Sequence, residues 1–105
     1  MVIIETTVFT KQVQSLLSTD EYQQLQIHLL ERPDVGSLIR GSGGLRKVRW
    51  SIAGRGKRGG VRVIYYWAVQ RDTLLMLLMY AKNERDDLSR EQLEVLRKLI
   101  EAEYK

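Results

Sequence analysis

The chain has no cysteine and one histidine, His28. Without cysteine there is no disulfide framework, no thiol nucleophile and no thiolate metal site. A single histidine excludes acid–base chemistry that needs a histidine pair, and it leaves a histidine metal centre without ligands. The carboxylates Glu84, Asp86 and Asp87 do cluster. At i, i+2, i+3 with no partner cluster they suit a helix start or a solvated turn better than a metal. No metal and no cofactor are expected. Long apolar runs are missing as well. The run at Met1–Ile4 is too short for a signal peptide and has no basic flank, and no segment approaches the length of a membrane span. The expectation is a cytoplasmic protein with no membrane partner.

Acidic residues are absent from Val35 to Arg71, where there are nine cations: Arg40, Arg46, Lys47, Arg49, Arg55, Lys57, Arg58, Arg62 and Arg71. The remainder carries eight cations and thirteen acids, so the net charge of +4 hides a strongly basic middle third. A block of this kind usually marks a polyanionic partner. The competing reading is internal neutralisation by acids of the flanking helices.

At 105 residues the chain is a single domain with room for one core and no need of staples. Val2–Glu5 reads as a short strand. Phe9, Val13, Leu16 and Leu17 recur at helical spacing, which predicts a helix over about 7–17. Ser18 and Glu21 have capping-box spacing and open a second helix, with Tyr22, Leu25, Leu29 and Leu30 toward the core and Pro33 ending it. The glycine-rich stretch 34–44 is a loop with an extended turn near Leu38 and Ile39. "LRKVRWSI" (45–52) alternates, with Leu45, Lys47, Arg49 and Ser51 on one face and Arg46, Val48, Trp50 and Ile52 on the other. "AGRGKRGG" leads to a strand at 61–69, and "LLMLLMY" (74–80) reads as the central strand. Ser89 and Gln92 form a second capping box before a helix whose Leu93, Leu96, Leu99 and Ile100 share a face. The predicted fold is α+β: an N-terminal strand, two helices, an antiparallel three-stranded meander and a C-terminal helix, with the helices packed on one face of the sheet.

The residues able to carry chemistry are mostly cations. Arg62 alternates with Val61 and Val63 and so points away from them. In a meander, Lys47, Arg49 and Arg62 come onto one surface, where like charges repel unless an anion joins them. RNA phosphate is the obvious anion; a solvated basic sheet face is the alternative. In "YAKNE", Tyr80 and Lys82 share a side of an extended chain, with Asn83 next. Tyr80 could stack a base or bond a phosphate, or it is an edge-of-core tyrosine. Trp50, Tyr65, Tyr66 and Trp67 are read as core or partner-facing residues.

"GGLRKVR", "GRGKRGGVRVIYY" and "YAKNE" followed by "DL" together resemble the RelE/HigB superfamily of type II toxins, closest to the HigB-type branch, over essentially the whole chain. The resemblance implies a metal-independent endoribonuclease, an mRNA interferase that enters the ribosomal A site, cuts mRNA there and inhibits translation. It implies a cognate antitoxin of helix-turn-helix type that neutralises the toxin, with operator DNA reached only through the antitoxin complex. By motif, Lys47 and Arg49 match catalytic or phosphate-binding cations. Arg62 matches the arginine that stabilises the transition state. Lys82 and Asn83 fall in the catalytic segment after the last strand, Asn83 standing where several relatives carry arginine.

RNA cleavage through the 2′-hydroxyl needs a base, a phosphate clamp and an acid. Arginine cannot be the base, so the sequence offers Lys47, Lys57 and Lys82, with Tyr80 behind them. A lysine among cations is more easily neutralised. Arg55, Lys57 and Arg58 read as a phosphate-gripping loop whose glycines allow close approach, with Arg46 grouped alongside for RNA or ribosome binding. Two other functions share these features: a non-catalytic RNA- or ribosome-binding module, and a gyrase-inhibiting toxin of the same fold.

Overall fold

The capping signals mark the helix starts. In the computed structural model, which describes residues 1–51, 60–84 and 87–104, Thr6 caps helix α1 (Thr7–Leu16) by accepting from the Phe9 amide at 3.0 Å. Ser18 caps α2 (Thr19–Glu31) with both capping-box bonds present. Ser89 and Gln92 bond reciprocally at 3.1 Å ahead of α3 (Arg90–Tyr104). Each cap satisfies amides that the first helical turn leaves without partners.

The strands are β1 (Val2–Glu5), β2 (Ser37–Leu38), β3 (Leu45–Trp50), β4 (Val61–Ala68) and β5 (Thr73–Ala81). They form one sheet in the order β1-β5-β4-β3-β2. The meander β3-β4-β5 is antiparallel as expected, and β2 extends it antiparallel. β1 instead pairs parallel with β5, so the sheet is mixed. The middle position belongs to β4; β5 lies between β1 and β4 and is buried along most of both faces.

The helices do not share one face. Phe9, Val13, Leu25 and Leu29 of α1 and α2 pack on Val48, Val63, Tyr65, Met76 and Met79. Ile100 of α3, with Leu93 and Leu96, packs on Leu45, Ile64, Leu75 and Leu77 of the other face. The near-continuous apolar run of β5 requires this: both of its faces must be covered. Leu30 and Leu99, expected in the core, are 40% and 37% exposed.

The register slips between Ile64 and Tyr65. Tyr65 pairs with Met76 and Ile64 with Leu78, leaving Leu77 as an extra residue in β5. Helix α1 satisfies the backbone groups around it. The Thr6 hydroxyl donates to the Leu77 carbonyl at 2.9 Å, and Gln12 Oε1 accepts from the Met79 amide at 2.8 Å.

Candidate active site

The cationic face expected from alternation is present. Arg49 stands directly opposite Arg62 across β3 and β4, and Arg62 directly opposite Tyr80 across β4 and β5. Lys47 lies on the same face of β3 as Arg49, opposite Ile64. Directly opposed residues of an antiparallel pair have their Cβ atoms about 5 Å apart, so two guanidinium groups start from adjacent stems. Arg49 is exposed, whereas Arg62 is 8% exposed. A row that buries one arginine beside another concentrates positive potential at one end of the sheet.

Lys82 and Asn83 lie just past β5, both exposed, in a turn closed by the Glu84 amide donating to the Ala81 carbonyl at 3.0 Å. The Lys82 amide donates to the Gly60 carbonyl at 3.1 Å, which holds this turn against the start of β4, one residue from Val61 and two from Arg62. Tyr80 is 4% exposed and belongs to the α3-side core. Its ring is therefore closed to base stacking.

Arg46 does not join this set. It lies on the α1/α2 side of β3, and its guanidinium donates to the carbonyls of Asp34 at 3.0 Å and Gly36 at 2.8 Å. These are the bonds of a structural buckle on the loop after α2, rather than of a phosphate contact. Tyr65 completes the buckle from beneath: its hydroxyl donates to the Pro33 carbonyl at 2.7 Å and accepts from the Gly36 amide at 2.9 Å. Trp50 and Trp67 pack against the same core cluster, and Tyr66 against the opposite one, as expected of them. Arg55, Lys57 and Arg58, expected to grip phosphate, lie outside the described residues.

One member of the site was not expected. Asp87, read from sequence as part of a solvated turn, accepts a hydrogen bond from Lys47 Nζ at 2.5 Å. Its carboxyl is held below the usual carboxylate range first by that hydrogen bond, then by the Lys47 charge, with Arg49 and Arg62 adding to the field. The pair spans forty positions of sequence and sets Asp87, just ahead of α3, beside β3. The signal in the sequence is faint: Asp87 stands two residues before the Ser89 cap, which fixes where the chain must turn. A cleft of about 590 Å³ opens here, bounded by His28, Ile39, Lys47, Arg49 and Asp87. Among the described residues there is no group of three or more His, Asp or Glu placed to hold a metal.

The arrangement can bind phosphate through Arg49, Arg62 and Lys47, and it presents a carboxylate beside them. Two kinds of comparison bear on the chain as a whole. The family model described as the RelE toxin of the RelE / RelB toxin-antitoxin system matches residues 3–104. Solved structures with the same fold include a mutant E. coli RelE toxin in the free state, with a TM-score of 0.61 at 14% identity, covering 93% of this chain and 94% of that one. The isolated E. coli RelE toxin gives 0.58 at 15% identity, covering 93% and 97%. The toxin–antitoxin complex of E. coli RelBE gives 0.59 at 15% identity, covering 76% and 94%.

Proposed function

This chain belongs to the RelE toxin family, the toxin side of a toxin–antitoxin system, and from that premise we propose that it is a ribosome-dependent endoribonuclease that cuts mRNA in the A site. The observation that carries the reading is the row of Arg49 and Arg62 in direct register, with Lys47 on the same face. Opposed like charges cost stability on a sheet, and a phosphodiester bound between them repays that cost. Arg62, nearly buried and fixed by the β4 ladder, stabilises the pentacoordinate phosphate. A preorganised donor of this kind is worth about 3 kcal/mol in a transition state. Arg49 and Lys47 hold the adjoining charge, and Lys82 and Asn83 border the site from the turn beyond β5.

The chemistry proceeds without a metal. A chain with no cysteine and one histidine offers little to bind one, whereas the cations needed for phosphate are built into the sheet. An open, solvent-facing site has few walls with which to orient RNA. The ribosome supplies that orientation, and with it much of the rate. The partners in this reading are mRNA, the ribosome and a cognate antitoxin of helix-turn-helix type, through which operator DNA is reached. The location is the cytoplasm; among the described residues no helix is long and apolar enough to cross a membrane.

The test is primer extension on a defined mRNA in a reconstituted translation reaction, with and without ribosomes, comparing the wild type with Arg62→Ala. Codon-phased cuts that require ribosomes and vanish in the variant are expected. Arrest with intact mRNA would replace nuclease action by ribosome binding. A change in plasmid supercoiling with neither effect would favour a gyrase target.

A further inference from the structure

We propose that Asp87 is the general base of this site, with Lys47 as its proton-returning partner. The inference rests on the nuclease reading above and supplies the group that reading lacks. Reaction through the 2′-hydroxyl requires an acceptor for its proton. Arginine stays protonated. Tyr80 is locked in the α3-side core. Lys82 sits in an exposed turn beyond the strand, Lys57 lies outside the described residues, and Lys47 has a carboxylate as its hydrogen-bond partner. Asp87 is a carboxylate at the edge of the phosphate-binding face, with 73% of its side chain open to solvent. Lys47 Nζ bonds one of its oxygens, Oδ1, which orients the carboxylate and leaves Oδ2 for a substrate hydroxyl.

The proton balance closes within the pair. The 2′-O–H bond breaks and its proton goes to Asp87 Oδ2. The 2′-oxygen bonds phosphorus while Arg49 and Arg62 hold the added negative charge. The P–O5′ bond then breaks, and the leaving 5′-oxygen takes a proton from the Lys47 ammonium. The neutral Lys47 amine recovers a proton from the Asp87 carboxylic acid once the carboxyl turns to present its Oδ2–H to Nζ. The products are a 2′,3′-cyclic phosphate and a 5′-hydroxyl end; no water is consumed and no cofactor is used.

The two base assignments differ in pH dependence. Among the described residues, the charged groups acting on Asp87 are Lys47 and Arg49 from β3 and Arg62 from β4, all cationic at neutral pH, and His28 of α2 lines the same cleft. The three cations favour the carboxylate, so an Asp87 base is already ionised at pH 6 and its rate is flat from there to pH 8. A lysine base gains about tenfold per pH unit over the same interval, because its neutral fraction does.

The experiment is single-turnover cleavage of ribosome-bound mRNA from pH 6 to 8 by wild type, Asp87→Asn and Asp87→Glu. Affinity is measured in parallel on mRNA carrying a 2′-deoxy nucleotide at the cut site. Circular dichroism checks that each variant is folded. A flat wild-type profile is expected. Asp87→Asn should lose about 10²- to 10⁴-fold in rate without losing affinity, and Asp87→Glu should recover part of it. An Asp87→Asn variant that cuts as fast as wild type, or faster, would show that the carboxylate merely occupies the phosphate site and would overturn the assignment. So would a loss confined to affinity, or a wild-type rate that climbs tenfold per unit. Absence of any wild-type cleavage would remove the nuclease reading and this assignment together, a result distinct from a cutting wild type with an indifferent variant.

Discussion

Tyr80 faces Arg62 across β5 and β4 because Leu77 is an extra residue in β5. In unbroken alternation from Met76, residue 80 would return to the α1/α2 side; the bulge moves it to the α3 side and aligns it with the cations. Helix α1 guards that bulge through Thr6 and Gln12. Gln12→Leu leaves the Met79 amide without its partner, at a cost of about 1–3 kcal/mol. It should also lower the cleavage rate per folded molecule, although Gln12 is on the other side of the sheet from the site. Urea unfolding and single-turnover kinetics check both effects. Leu25→Val, which thins the core under α2, should lower stability alone. Equal rates in the two variants would detach the bulge from catalysis.

Arg49 opposite Arg62 predicts a trade of stability against function. Replacing Arg49 by Gln removes a repulsive cross-strand pair and should raise the unfolding free energy by about 0.2–1 kcal/mol. The same change should reduce the slope of log affinity against log salt for RNA by about one unit, the signature of one lost phosphate contact. Sulfate should raise the Tm of the wild type more than that of the variant. A variant less stable than wild type in low salt would mean that the two guanidinium groups are not in conflict.

The Arg46–Tyr65 buckle is a matter of folding. Tyr65 is fully buried and its hydroxyl bonds both Pro33 and Gly36. Tyr65→Phe strands a buried amide and a carbonyl, and should cost about 1–3 kcal/mol. Gly36→Ala meets the same ring from the other side: a Cβ there would lie 2.8 Å from Tyr65 Cε1 and 2.9 Å from its hydroxyl oxygen. Both variants should lower the urea midpoint while the rate per folded molecule stays at the wild-type value. A rate loss exceeding the loss of folded protein would place the loop in the site after all.

Local signals in the sequence were enough for the elements. Ser18, Ser89 and Pro33 mark helix ends with residues whose chemistry permits little else there, and the alternation in 45–50 and 61–64 is enough to gather Lys47, Arg49 and Arg62 on one face. What the sequence could not carry is non-local. The bulge at Leu77 has no composition of its own inside a run of leucines and methionines. An all-apolar β5 asks for cover on both faces, but its leucines and methionines do not say which helix goes to which face. The parallel seating of β1 follows from a crossover that four residues cannot announce. Asp87 reads as solvated because its partner is forty positions away, and Arg46 reads as an RNA contact because the carbonyls that bind it belong to a loop with no signature beyond glycine.

Tyr22 gives the fold an alkaline limit. Its hydroxyl donates to Glu5 Oε2 at 2.5 Å, and the Thr10 hydroxyl donates to Glu5 Oε1 at 2.6 Å, tying α1 and α2 to the end of β1. Burial pushes the Tyr22 phenol well above its ordinary value, with the Glu5 hydrogen bond and charge adding to the shift; burial also raises Tyr65. A phenol whose folded pKa is raised contributes stability that is fully present below the unfolded pKa, near 10. That contribution is lost as pH rises above 10 toward the folded value, because the unfolded chain releases its proton first. Unfolding free energy should therefore be insensitive to this group at pH 7–9 and fall above pH 10. Tyr22→Phe removes a hydrogen bond to a charged acceptor and should cost about 1.5–3 kcal/mol at pH 7, while flattening the fall above pH 10. Lysines titrate in the same interval, so the readout is the difference between wild type and variant across pH 7–11 by urea unfolding. Two curves that stay parallel to pH 11 would mean that Tyr22 keeps no unusual proton in the folded state.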